Sequence, residues 1–357
     1  MAKQSLAIKY RPKKFEDVCE QGSVITILKY QLESHTTQNA YLFCGGAGTG
    51  KTTCARIFAN ELNGGVGNPI ELDAASNNSV DDVRGIIQRA KTASIDSEYK
   101  VFILDEVHAL SNNAWQALLK ILEEPPAKTV FIMCTTDPQK IPKTILSRVQ
   151  RYDFQRISQR GIVDRLKYIL RWEDEEVFQA GGPDGVYTDN CSEVALEFIA
   201  KLAEGGMRDA ITLLDKCLAY SSILSVENIE AALGTVDFST MFRLTNSLLG
   251  RDTEDVMQVI EGIHYSGKDL KQFIKSYMAF VLDLNKYDIA GDMGQLTIPS
   301  VYEIDVKAVA TANHAGPRLS HLLRTLVKLN ADIKWDTAPK ANIQATLFLE
   351  SEVIENG

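Results

Sequence analysis

Between Tyr41 and Phe154, short apolar runs alternate with segments of helical period. The runs are Tyr41–Cys44, Ile70–Asp73, Val101–Leu104, Val130–Cys134 and Tyr152–Phe154. This alternation predicts a parallel sheet flanked by helices. Between the third and fourth runs, Ser111 is placed to cap a helix whose Trp115, Leu118, Leu119 and Leu122 share one face, and Pro125-Pro126 ends it. Trp115 is therefore expected in the core, not on a base-stacking surface. After about Gln155 the strand signal fades and helical periods take over: Ile162, Leu166, Ile169, then Leu196, Ile199, Leu202, then Ile211, Leu214, Leu218. Ala180-Gly181-Gly182-Pro183-Asp184-Gly185 interrupts this series as an exposed loop. A composition seam falls near Gly234-Thr235, beyond which helices continue, for example through Val256, Val259, Ile260 and Ile263. The expected organisation is an α/β domain over 1–157, a small helical domain over 158–235 and an all-α domain over 236–357.

Composition sharpens this picture mainly by exclusion. A chain of 357 residues suggests two or three domains, and 45% hydrophobic with 24% charged residues excludes wholesale disorder, collagen-like repeats and a coiled-coil rod. The longest apolar run, Tyr277 to Leu282, is far short of the ~18–20 residues that cross a bilayer, and the N-terminus lacks an apolar signal core. A cytoplasmic protein with no membrane partner is expected. The net charge of −9, from 38 Lys+Arg against 47 Asp+Glu, argues against polyanion binding by overall field. Nucleic-acid contact would have to be local, as at Lys3, Lys9, Arg11, Lys13 and Lys14, or along Lys140 to Arg160. The six cysteines, Cys19, Cys44, Cys54, Cys134, Cys191 and Cys217, form no C-x-x-C pair, so their spacing specifies neither a zinc site nor a disulfide framework.

The candidate chemistry is concentrated in two places. Gly45-Gly46-Ala47-Gly48-Thr49-Gly50-Lys51-Thr52 fits G-x-x-x-x-G-K-[ST], between a predicted strand and a predicted helix. In that setting backbone N–H groups close around phosphates at a helix N-terminus, Lys51 supplies charge to the β/γ oxygens, and the Thr52 hydroxyl can ligate Mg²⁺. About fifty residues on, Val101-Phe102-Ile103-Leu104 ends in Asp105-Glu106. The carboxyl ends of strands are where open α/β sheets bind ligands. Asp105 is expected to orient Mg²⁺ and Glu106 to polarise the water that attacks the γ-phosphate.

These motifs occur in order with Asp105-Glu106-Val107-His108, Leu119-Lys120-Ile121-Leu122-Glu123-Glu124-Pro125-Pro126 and Thr135-Thr136-Asp137-Pro138-Gln139-Lys140-Ile141-Pro142. Lys9-Tyr10-Arg11-Pro12 precedes them and Gly206-Met207-Arg208-Asp209-Ala210 follows. The whole resembles the bacterial DNA polymerase III gamma/tau family, the AAA+ ATPases of the sliding-clamp loader, most strongly from Ala7 to Arg151. The resemblance implies an AAA+ P-loop domain followed by a helical lid and a collar, with ATP and Mg²⁺ as ligands. It implies that Thr136 senses the γ-phosphate, that Arg148 enters a neighbouring subunit's ATP site, that Arg208 is a second sensor, and that Tyr10, Arg11 and Val18 wall the adenine side. Thr53 is expected beside the loop residues Gly45–Thr52 as a further nucleotide-binding position. Expected partners are delta and delta-prime type subunits, copies of the same chain joined through the collar, the sliding clamp, and primer–template DNA. The rival expectations are a non-hydrolysing structural subunit and another AAA+ DNA-processing motor.

Three departures from the family pattern stand out. The four-cysteine zinc module expected before the second strand is replaced by Asn63-Gly64-Gly65-Val66-Gly67-Asn68-Pro69, so no zinc is expected. Ser147-Arg148-Val149 stands where the family has Ser-Arg-Cys, and a glycine-rich insertion occupies 180–189. The chain is also expected to end with the collar, without a tau-type tail.

Overall fold

The computed structural model describes residues 4–92, 96–312 and 315–352, so Lys3 lies outside the described residues. The chain forms two compact units, Met1–Ile169 with Ala203–Asp215, and Leu170–Leu202 with Lys216–Gly357.

The first unit is built on five parallel strands: β1 (Ala40–Cys44), β2 (Ile70–Asp73), β3 (Lys100–Asp105), β4 (Thr129–Thr135) and β5 (Gln150–Asp153), in the order β2-β3-β4-β1-β5. Parallel neighbours require crossovers, and helices on both faces provide them. Leu42, Phe102, Leu104, Phe131 and Met133 pack to one side with Trp115, Leu118 and Leu122 of the helix Asn112–Glu123. Tyr41, Phe43, Ile103 and Ile132 pack to the other with Cys54 and Phe58 of the helix Lys51–Leu62, and with Phe15. With both faces covered, β1, β3 and β4 read as continuous apolar runs instead of alternating ones.

Most expected boundaries agree within a residue or two. Ser111 Oγ accepts from Ala114 N at 3.3 Å to cap the helix that Pro125 follows, and Trp115 is buried in the core. β5 begins at Gln150, two residues before the expected Tyr152, and Phe154 has left the ladder, although its N–H still donates to the Cys44 carbonyl at 2.7 Å. On this edge strand Tyr152 is buried while Gln150 and Arg151 are not, so hydrophobicity marks only its inward half. The helix Val80–Ala90 has a clear local start, a reciprocal capping box between Ser79 and Asp82.

In the second unit, Leu196 and Ile199 of the helix Glu193–Leu202 are buried as expected, but Leu202 is 39% exposed. It closes the helix, so the helical period does not carry its side chain into the core. The 180–185 loop is exposed only in part: Gly185 is buried, and the Asp174 carboxylate accepts from Tyr187 N, Thr188 N and Thr188 Oγ1 at 2.7–2.9 Å. Gly234 ends the helix Val226–Leu233 in the left-handed conformation, at the composition seam. Beyond it the helices Phe238–Gly250, Thr253–Tyr265, Leu270–Ala290, Glu303–Ala310, Ala315–Asp332 and Pro339–Ser351 enclose one core that includes Val256, Val259, Ile260 and Ile263. Among the described residues, no helix is long and apolar enough to cross a membrane.

The turn at 63–69 shows how the chain closes without a metal module. Gly64, Gly65 and Gly67 have positive φ, and the Asn63 side chain donates to Tyr99 O at 3.0 Å and accepts from Tyr99 N at 2.7 Å. One amide thus joins the end of the helix Lys51–Leu62 to the segment entering β3. Asn63→Ala should cost about 2 kcal/mol locally, and hydrogen exchange at the Tyr99 amide should become roughly thirtyfold faster. Unchanged exchange at Tyr99 would show that the pair does not hold this closure.

Candidate active site

The phosphate loop is shaped by close backbone packing. Gly45 N donates to Thr135 O at 3.2 Å, and a Cβ at Gly45 would lie 2.6 Å from the Phe154 carbonyl oxygen. Gly48 (φ +69°) leaves only 3.0 Å between a would-be Cβ and Gly206 Cα. Gly50 (φ +99°) precedes the helix Lys51–Leu62, whose first turn therefore presents free N–H groups at the loop.

Lys51 is 5% exposed, and its ammonium donates to Gly45 O at 2.8 Å and Gly46 O at 2.7 Å. Burial lowers its pKa, opposed by the nearby Cys134, Glu106 and Asp105. Thr52 Oγ1 donates to Asp105 Oδ2 at 2.7 Å, while Asp105 Oδ1 accepts from Glu106 N at 3.0 Å. Glu106 is held in the left-handed region (φ 49°, ψ 42°), a conformation that costs a non-glycine residue about 1–2 kcal/mol. Its Oε2 accepts from Thr136 Oγ1 at 2.9 Å and Thr136 N at 3.3 Å, with His108 Nδ1 3.1 Å away. The structure thus brings Thr136 directly onto the second acid.

These groups open on a cavity of about 320 Å³. Ala47, Gly48, Thr49, Gly50, Lys51, Thr52 and Thr53 line it with Asp105 and Glu106, and so do Tyr10, Arg11, Val18 and Arg208. Gly45 and Gly46 stand behind this lining and give their carbonyls to Lys51. Arg148 is elsewhere: its Nη2 lies 2.7 Å from Glu123 Oε1 and its Nη1 donates to Thr144 O at 2.6 Å, away from its own chain's cavity. Thr136 is not among the lining residues but touches one, Glu106.

Sequence reasoning misses several contributors because their partners are remote in the chain. Gln21 is buried, exchanges two hydrogen bonds with the Gln155 backbone at 2.8 and 3.1 Å, and reaches Thr49 O at 3.4 Å. Arg165 and Met207 also line the cavity, and Met207 N donates to Gly48 O at 3.0 Å. No local pattern marks Gln21 or Arg165, whereas Met207 lies inside the Gly206–Ala210 motif without being singled out.

The Thr52 hydroxyl and the Asp105 carboxylate are hard oxygen donors of the kind Mg²⁺ takes, and such an ion usually completes its shell with water and phosphate oxygens. Among the described residues no group of three or more His, Cys, Asp or Glu side chains is placed to hold a metal ion.

Three family profiles match along the chain. They are DNA polymerase III, delta subunit, over residues 70–158; DNA polymerase III clamp loader subunit, ATPase lid domain, over 190–230; and DNA polymerase III subunits gamma and tau domain III, over 224–349. The tau subunit of Bacillus subtilis is 35% identical over 99% of this chain, which spans 63% of that protein's length. The gamma subunit of Buchnera aphidicola subsp. Schizaphis graminum is 33% identical over 78% of this chain and 79% of its own. The gamma subunit from Buchnera aphidicola subsp. Acyrthosiphon pisum is 29% identical over 97% of this chain and 98% of its own. A solved RuvB Holliday junction branch migration motor of Thermotoga maritima aligns at TM-score 0.48 with 19% identity, over 67% of this chain and 79% of that one, too distant to bear on the chemistry. The profiles and the relatives agree, and the chain belongs to the DNA polymerase III gamma/tau family.

Proposed function

We propose that this chain is an ATP-hydrolysing AAA+ subunit of a DNA sliding-clamp loader. In this reading ATP binding orders a ring of subunits that opens the clamp and grips primer–template DNA, and hydrolysis releases the closed clamp. The observation that carries it is the convergence on one cavity of Lys51, the Thr52–Asp105 pair and Glu106, which Thr136 holds from behind the lining.

In this reading each residue takes a role. The loop amides and the Lys51 ammonium hold the β- and γ-phosphate oxygens. Thr52 and Asp105 would hold Mg²⁺, which when bound offsets phosphate charge. Glu106 orients and polarises the attacking water; its Oε2 is taken by Thr136, so Oε1 is the oxygen left to accept from that water. Thr136 senses the γ-phosphate and holds Glu106. Arg208 approaches the phosphates from the lid, and Tyr10, Arg11 and Val18 wall the base. Arg148, engaged outside its own cavity, serves a neighbouring subunit's site.

We divide the chain into an ATPase domain over 1–157, a lid over 158–235 and a collar over 236–357. The lid and domain III profile matches and the left-handed cap at Gly234 support this division. The partners are delta and delta-prime type subunits, further copies of this chain through the collar, the clamp and primer–template DNA. A cytoplasmic location follows from that role.

Steady-state ATP hydrolysis should rise when primed DNA and a sliding clamp are added together, and a rate indifferent to both would defeat the clamp-loader reading. Lys51→Ala should lose nucleotide binding, whereas Glu106→Gln should keep it and lose turnover. Near-wild-type turnover in Glu106→Gln would remove its assigned role.

Arg148→Ala should leave nucleotide binding by the isolated chain intact and lower hydrolysis in the assembly by roughly 10³-fold or more. Mixing Arg148→Ala with Lys51→Ala chains should restore part of the activity, because one intact site can form between them. No recovery in assemblies shown to be mixed would place Arg148 outside the shared site.

Truncation before Val236 should abolish self-assembly seen by light scattering, since the collar helices are those with apolar faces to share. Assembly that survives truncation would contradict the collar assignment.

A further inference from the structure

We infer that Arg165 is a positioning residue for the base-side wall, setting affinity for the purine while leaving the hold on the phosphates unchanged. This deepens the nucleotide reading proposed above and rests on it. The wall residues Tyr10, Arg11 and Pro12 lie between two buried anchors, Leu6 and Phe15, while residues 7–14 are half-buried or exposed and join no strand. Apolar burial therefore fixes the two ends of this strap but not its middle.

Long-range polar contacts tie it to the helices beside it. Arg165, on the helix Gln159–Gln179, donates from Nη2 to the Tyr10 carbonyl at 2.8 Å, and its guanidinium stacks 4.7 Å over the Tyr168 ring one turn along. Asp215 Oδ2 accepts from Leu6 N at 3.1 Å. Asp215 belongs to the helix Met207–Tyr220, whose first turn carries Arg208 and donates from Met207 N to the phosphate loop. Arg165 itself lines the cavity. These bonds tie the wall to the helices that border the pocket and contribute to its shape before ligand arrives.

A wall that must be ordered on binding weakens affinity by the ordering cost, and only for the part of the ligand it touches. In the proposed reading the phosphates rely on Lys51 and the loop amides, whereas the hydrogen bond of Arg165 goes to the Tyr10 carbonyl. Loss of a charge-assisted hydrogen bond of this kind corresponds to roughly tenfold to a hundredfold in an equilibrium constant.

Calorimetric titration of the full chain with ATP and with tripolyphosphate, which has no base, tests this. Arg165→Met should bind ATP at least about tenfold more weakly and tripolyphosphate as the wild type does, and in turnover its KM should rise with kcat nearly kept. Arg165→Lys, which returns a donor, should fall between. Asp215→Ala, which frees the other end of the strap, should show the same selective loss and serves if Arg165→Met does not fold. Lys51→Ala should weaken both ligands. Wild-type ATP affinity in Arg165→Met and Asp215→Ala, or an equal loss of ATP and tripolyphosphate, overturns the inference while the nucleotide reading stands. A wild-type chain that binds neither ligand removes that reading, and this inference with it.

Discussion

The first unit depends on one buried ammonium group. Lys51 is almost wholly withdrawn from water, which would be costly for an unpartnered charge, and the carbonyls of Gly45 and Gly46 solvate it in place of water. Those carbonyls point at Lys51 only because the loop doubles back over its own helix, a path that needs glycine at 45, 48 and 50. The strand order then matters. With β4 between β1 and β3, Thr136 is delivered between the loop and the acids, and Gly45 is tied to the neighbouring Thr135 carbonyl. Loop, acids and Thr136 are therefore consequences of one sheet edge.

Legibility in the sequence followed the range of each interaction. The phosphate loop and Asp105-Glu106 were readable because each concentrates its chemistry in a few consecutive residues at a strand end. β1, β3 and β4 were readable because burial on both faces leaves no polar interruption. β5 was half-readable, being an edge where only alternate residues turn inward. Gln21, Arg165 and Asp215 were silent: their contacts span 134, 155 and 209 positions, and nothing beside Gln21 announces a carbonyl at Gln155. Leu202 fits a helical period yet lies exposed, because periodicity reports which face a residue belongs to and not where the partner surface ends.

Gly206-Met207-Arg208 has a physical reading of the same kind. A Cβ on Gly206 would sit 3.2 Å from Ala47 O and 2.5 Å from Asp209 Oδ2, and a Cβ on Gly48 would press on Gly206 and Arg208 N. Two glycines 158 positions apart permit the start of a helix to lie against the phosphate loop, and the Met207–Gly48 hydrogen bond fixes the contact. Arg208 reaches the cavity on a helix start that can come this close because Gly206, two residues before it, has no side chain. The motif is a steric requirement before it is an electrostatic one.

The two arginines proposed to meet phosphate charge are placed differently. Arg208 already lines its own cavity. Arg148 is bound to Glu123 with side chains 34% and 48% exposed, and an ion pair so accessible to water contributes only about 0–1 kcal/mol. Its guanidinium also donates to the Thr144 carbonyl and to Ser147 Oγ, so an anion presented by an adjoining chain, on the reading proposed above, would have to replace these bonds as well. Lys51, by contrast, cannot leave without stranding two carbonyls and reopening the loop. A chain built this way keeps one cation inside its own fold and holds another at the surface, beside Glu123, where water reaches both side chains. On the function proposed above, that division would let hydrolysis wait on assembly without making nucleotide binding wait as well.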